Sequence, residues 1–166
     1  MKLIKLSMHK MAIAAVAVFI LSSTTLYFFH IKKEEYQKIT CRADMTIKNT
    51  HSTFNGIMDF KIGQEKGIAN IAGSVSNESG NEYIVQRTIF FTLTSYGGTP
   101  IWLSNKIVVS DVENSPAALL SGTLPDFYVK PSTVNDVNII PISKDGWLIT
   151  KSSIPLLYCK NYKIND

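Results

Sequence analysis

From Met11 to Phe29 the chain runs 19 residues without a charged side chain, and no other feature limits its fold so sharply. At about 1.5 Å per residue such a run forms a helix about 29 Å long, close to the hydrocarbon thickness of a bilayer. A single segment crosses lipid only as a helix, because unsatisfied backbone groups are too costly there. A cleaved signal peptide and a buried soluble helix are the alternatives. Signal peptides have a shorter apolar region and a small-x-small cleavage site. Here Leu21-Ser22-Ser23 is a poor version of that site, and the apolar run resumes with Leu26, Tyr27, Phe28 and Phe29. A buried helix rarely reads this way at the extreme N-terminus, behind three lysines. The sequence therefore predicts a tail over 1–10, an uncleaved transmembrane anchor over 11–31 and a charged link over 32–40.

Basic residues near the ends set the orientation. Lys2, Lys5 and Lys10 precede the run, whereas Lys32 and Lys33 follow it and are met at once by Glu34 and Glu35. Acidic residues count little in the positive-inside rule, so the tail is expected in the cytoplasm and the rest outside. Tyr27 and His30 fall where an outer interfacial belt would form. The hydroxyls of Ser22, Ser23, Thr24 and Thr25 either bond back to their own helix or reach a partner helix.

The formal charge of +4 does not point to nucleic acid. Lys2, Lys5 and Lys10 leave 14 basic residues against 13 acidic ones from Lys32 onward. A surface that neutralises phosphates needs a clustered excess, so no direct nucleic-acid binding is expected.

Cys41 and Cys159 are the only two cysteines. One opens the outer domain, expected over 41–166, and the other nearly closes it. In an oxidising compartment such a pair is normally bonded, and a bridge across so long a loop is worth about 4–5 kcal/mol in chain-entropy models. Redox catalysis or metal binding is the rival reading. Both usually want a close Cys-x-x-Cys or added histidines, and His51 is the domain's single histidine. Lipidation of Cys41 is disfavoured by Lys38-Ile39-Thr40 before it.

Period-two alternation dominates after the link, as in half-buried strands. Cys41, Ala43, Met45 and Ile47 face one way, and Arg42, Asp44, Thr46 and Lys48 the other. Met58, Phe60 and Ile62 alternate with Asp59 and Lys61, before a turn over Gly63–Gly67. Strands are expected over Ile68–Val75, with Gly73 at a bulge or close approach, over Glu82–Tyr96 and over Ile101–Val109. A turn at Asn77–Asn81 and a Gly97-Gly98 hairpin connect them. The second half is less regular. Ser115-Pro116 introduces a short helix through Leu120. Strands are expected at Phe127–Val129, Val137–Ile142 and Trp147–Thr150, while Pro125, Pro131, Pro141 and Pro155 argue for edge strands or loops. The fold class is mainly β: an antiparallel meander of seven or eight strands, rolled into a small barrel or sandwich, with one short helix.

No catalytic constellation, cofactor motif or metal-ligand set is apparent. His51 reads as a surface histidine, since no serine or cysteine nucleophile signature accompanies it. Asp44 and Asp59 fall on polar strand faces. Asp111 and Glu113 read as an exposed loop or, less readily, a metal pair. Arg87 stands on the apolar face with Val85 and Ile89, so it either pairs internally or contacts a pocket or partner.

The stretch Cys41-Arg42-Ala43-Asp44-Met45-Thr46-Ile47, then Phe54-Asn55-Gly56, the strand with Gly67 and Gly73, Arg87 within Tyr83–Phe91 and the late Tyr158-Cys159 form a recognisable layout. With the basic tail and single anchor, it resembles the FidL-like membrane proteins of enterobacteria. That resemblance implies a location in the bacterial inner membrane with a periplasmic domain. It also implies a partner: a transmembrane transcription regulator of the ToxR or CadC type, which holds its DNA-binding domain in the cytoplasm and a sensor outside. The chain would dock on that sensor, stabilising one of its states or completing a ligand pocket with it. A second expectation, from the β architecture alone, is that the domain holds a small amphipathic molecule in a barrel mouth. An enzyme is not expected.

Overall fold

The computed structural model describes residues 13, 16, 18–25, 27, 39–96 and 99–162. The chain divides into two compact units, Met1–Gln37 and Lys38–Asp166.

In the first unit the described residues are helical and exposed. The Ser22 and Ser23 hydroxyls donate to the Phe19 carbonyl at 2.9 and 2.7 Å, and Thr24 and Thr25 donate to Ile20 and Leu21 at 3.0 and 2.9 Å. These side chains therefore satisfy themselves on their own helix. Among the described residues no helix is long and apolar enough to cross a membrane. The rest of the span 11–31, the tail 1–10 and residues 32–38 lie outside the described residues.

The second unit is one antiparallel sheet with two short helices. Its strands are β1 (Ile39–Lys48), β2 (Ser52–Ile62), β3 (Lys66–Asn77), β4 (Glu82–Tyr96), β5 (Thr99–Val109), β6 (Val134–Asn135), β7 (Asn138–Ser143), β8 (Gly146–Lys151) and β9 (Ile154–Asn161). Helices α1 (Ala117–Thr123) and α2 (Asp126–Val129) lie between β5 and β6. The strand order is β6-β5-β4-β3-β2-β1-β9-β8-β7. Ile39 and Thr40, expected in the link, already belong to β1.

The first five strands form the expected meander, and the reason is their alternation. Ala43 and Met45 of β1, Phe54, Met58 and Phe60 of β2, Ala69, Ile71 and Val75 of β3, and Val85, Ile89 and Phe91 of β4 all turn inward and are buried. Outward neighbours pair across strands: Arg42 opposes Asp59 and donates to both its carboxylate oxygens at 2.6 and 2.7 Å. Register between β4 and β5 runs from Tyr96↔Thr99 and shifts once, at Phe90/Phe91, while alternation between the buried Ile89 and Phe91 turns Phe90 outward, where it is exposed. The Gly97-Gly98 turn itself lies outside the described residues. Gly56 and Gly73 oppose each other on β2 and β3. A Cβ on Gly73 would stand 2.3 Å from the Asn55 carbonyl oxygen and 2.6 Å from the Gly56 Cα, so the strands approach as only glycine allows.

The sheet is a half-barrel, and its connectivity shows why it must curl. Laid flat, nine strands about 4.8 Å apart would separate the outer two by about 38 Å. Yet β6 and β7, the two ends of the order, are joined by Asp136 and Val137 alone, a link that reaches at most about 11 Å. The inward face carries an aromatic cluster: Phe91 stacks on Trp102 with centroids 4.8 Å apart, and Phe127 meets Phe91 edge-on at 5.5 Å. Leu120 and Leu124 join the same core.

Several expectations for the second half are corrected. Phe127–Val129 is not a strand but the helical turn α2. Phe127 and Tyr128 are both buried, and successive residues of a strand would face opposite sides, whereas a helical turn after Pro125 directs both inward. The short helix α1 exists, but Pro116 is its N-cap with no side-chain cap, and the Ser115 hydroxyl turns to Glu113 instead. The loop is exposed at Asp111, Val112 and Asn114 as expected, but the Glu113 side chain turns inward and is 4% exposed. Pro141 lies on the edge strand β7, as proline should. Pro155 lies in β9, a strand missing from the sequence reading, within a stretch that pairs only with β8 among the described residues and so is an open edge there.

Candidate functional site

Backbone pairing between β1 and β9 consists of two residue pairs, Cys41↔Asn161 and Arg42↔Lys160. Beyond them the strands part. Residues 43–48 of β1 keep β2 on one side but pair with no strand on the other, among the described residues. Residues 154–158 of β9 keep only β8. The Cys41–Cys159 disulfide stands where the seam opens, with Cα atoms 5.3 Å apart and both cysteines fully buried. The bond pins the closed end of a wedge-shaped cleft.

An open cavity of about 460 Å³ occupies that cleft. Its walls are Asp44, Met45, Thr46 and Ile47 of β1, Ile149 and Lys151 of β8, and Leu156 and Leu157 of β9; Pro125, Tyr128, Asn135 and Val137 complete it. Four successive residues of one strand line the cavity, so it runs along the edge of β1 and not over one face, since alternate residues face opposite ways. The volume lies in the range of ligand sites, and the lining is mostly apolar with polar groups at the margin.

Charge around the cleft is ordered. Lys151 donates to Asp136 at 2.7 Å, tying the end of β8 to the β6–β7 link. That hydrogen bond, with a backbone one, holds the Asp136 carboxyl below the usual carboxylate range. Asp44 and Lys48, both exposed, have no ion-pair partner among the described residues. The Tyr128 phenol is buried, and loss of water around its charged form raises its pKa well above the ordinary value.

Arg87 turns inward from β4, as its alternation implies. Its Nε donates to Glu113 Oε2 at 3.1 Å, its Nη2 pairs with Glu113 Oε1, and its Nη1 donates to the Tyr128 carbonyl at 3.3 Å. Glu113 also accepts from the Gln86 backbone N–H at 2.9 Å. The guanidinium thus reaches the cleft only through Tyr128, although Arg87 also borders a separate depression of about 360 Å³ beside Asn70, Gln86, Thr88 and Val108. His51 is exposed and bonded to Glu78. No three His, Cys, Asp or Glu side chains gather to hold a metal among the described residues.

Sequence reasoning missed the cleft residues Tyr128, Lys151, Leu156 and Leu157. The apolar residues Ile154, Leu156, Leu157 and Tyr158 face both ways along β9, which erases the period-two signal.

A family profile described as the YqeJ C-terminal domain matches residues 38–159, from the start of the second unit to the second cysteine. The chain is similar to the protein named "Uncharacterized protein YqeJ" of Escherichia coli (strain K12), 25% identical over 141 residues that cover 81% of this chain and 86% of that protein. No solved structure matches the chain.

Proposed function

The chain belongs to the YqeJ C-terminal domain family, and on that premise we propose that it is a membrane-tethered binding module whose outer domain engages a partner protein through the cleft between β1 and β9. The observation that carries the reading is the cleft itself, where two strands bonded together at one end leave main-chain edges and an apolar cavity open at the other. Binding, and not bond-making chemistry, suits a lining of Met45, Ile47, Ile149 and Leu157.

The uncharged run from Met11 to Phe29 supports a bilayer anchor with the tail inside and the domain in the periplasm, and the buried disulfide suits an oxidising compartment. The likeness to FidL-like proteins supports a particular partner, a transmembrane transcription regulator of the ToxR or CadC type, whose sensor the domain would hold in one state. A photoreactive residue in place of Leu156, irradiated in intact membranes, tests this. The expected adduct contains a membrane-anchored winged-helix regulator; a chain that fractionates away from membranes, or yields no such adduct, overturns the reading.

A second reading has the cleft take a small amphipathic molecule. The apolar cavity of about 460 Å³ with Asp44 and Lys151 at its margin favours it. Retention of such a molecule through purification, identified by mass spectrometry, would distinguish it.

A further inference from the structure

We propose that the cleft is a strand-addition site: an extended polypeptide segment, apolar at alternate positions and carrying one acidic and one basic residue, pairs with the edge of β1 over Ala43–Lys48. This rests on the reading that the domain binds a partner protein, and it specifies the recognition chemistry.

Natural sheets usually blunt their edges with proline, inward charges, bulges or short strands. Beyond Cys41, β1 has no proline, bulge or inward charge, and its charged residues Arg42, Asp44 and Lys48 all lie on the outward, exposed face. Its register with β2 continues without a shift to Lys48↔Thr53, so its backbone is straight and regular, and alternate N–H and C=O groups point into the cleft. Such an edge is satisfied by another strand, which supplies donors and acceptors at matching spacing. A compact small molecule covers the cavity but leaves that row unmatched.

The cleft also fixes where such a strand sits. The two β1–β9 pairs and the disulfide form a stop at the closed end. Inward side chains of the segment would meet Met45 and Ile47 on one side and Leu157 on the other. Its outward side chains would lie beside Thr46 and the half-exposed Leu156 and Tyr158. Charge then sets the polarity. Lys48 stands at the mouth and Asp44 two outward positions deeper, both without an ion-pair partner among the described residues. A matching strand carries its acidic residue at the mouth and its basic residue four positions further in, since cross-strand opposite charges stabilise pairing and like charges oppose it.

The test uses the full chain in detergent micelles and synthetic peptides of about eight residues in which valine alternates with threonine, glutamate and lysine, the two charges four positions apart. Controls are the peptide with its charges exchanged, a peptide with prolines at alternate positions, and decanoate as an amphipathic small molecule. Amide hydrogen exchange reads the result residue by residue. The expected outcome is that the first peptide slows exchange over Ala43–Lys48 by about tenfold or more, while the proline peptide and decanoate do not. Asp44→Lys should weaken the first peptide about two- to fivefold and bring it level with the charge-exchanged one, since each then meets one opposite and one like charge, a range that follows from typical cross-strand pair energies. Unchanged exchange over 43–48 with every peptide, or equal protection by decanoate, overturns strand addition. If the Leu156 photo-adduct with a regulator persists in that case, partner binding stands and only the mode is wrong. If strand peptides protect 43–48 but no regulator is captured, strand addition stands and the partner assignment falls.

Discussion

Glu113, in the loop after β5, closes a buried ion pair with Arg87 of β4, and the two side chains are 4% and 6% exposed. The pair anchors the loop leading into α1, and through the Tyr128 carbonyl it also holds α2 beneath the cleft. Taking two charges out of water costs several kcal/mol each, so the pair is stable only while both partners are present.

Removal of one partner should therefore be severe. Glu113→Gln leaves the guanidinium uncompensated and is expected to cost about 3–5 kcal/mol in urea unfolding. Combining Arg87→Met with Glu113→Leu should recover part of that loss, because no buried charge is left unpaired, while the Gln86 N–H and the Tyr128 carbonyl lose their partners. A double variant as unstable as the single one would show that the loop needs the ion pair's geometry and not its charge balance.

Reduction of the disulfide should lower stability by about 4–5 kcal/mol, given a sequence separation of 118. Unfolding of the Cys41→Ser, Cys159→Ser chain beside the oxidised one measures this. Hydrogen exchange should place the first opening at the β1–β9 seam, where only two pairs hold the strands.

Tyr128 makes the fold sensitive to alkali. Burial raises the phenol's pKa above its ordinary value of about 10, so the folded state binds this proton more tightly than the unfolded chain. The associated stability is complete below about pH 10 and is lost as pH rises toward the raised value. Absorbance titration should show one of the seven tyrosines ionising only with unfolding, and Tyr128→Phe should abolish that late step.

Glycines divide by their surroundings. Gly73→Ala forces a methyl against the Asn55 carbonyl and the Gly56 Cα and should cost about 1–3 kcal/mol. Gly122→Ala, in α1 with nothing within 4 Å of the added carbon, should leave stability unchanged or raise it by up to about 1 kcal/mol. Thermal unfolding of both variants separates the two cases.

The first five strands were legible because each is buried on one face, so Met58, Phe60 and Ile62, or Val85, Arg87 and Ile89, declare the inward side at every second position. Arg87 was placed correctly by this rule alone. Its partner was not, because Glu113 is 26 residues away in a loop whose polar composition suggests water. The last strands were obscure for a different reason. Along β7 and β9 apolar residues such as Ile140, Ile142, Ile154, Leu156 and Tyr158 stay exposed, so inward and outward faces look alike. The cleft had no signature at all, since its defining feature is a row of main-chain groups, which every sequence possesses.

The position of β9 between β1 and β8 makes the first strand of the domain wait for the last. As the chain is made, β1 finds β2 within a few residues, but its other flank has no neighbour until Lys160 and Asn161 exist, over a hundred residues later. Even then only the base of the strand is covered. Until β9 is made, that flank of β1 therefore stands as an open edge of the growing sheet, so the early meander has to stay unpaired on one side while the remainder of the domain is completed.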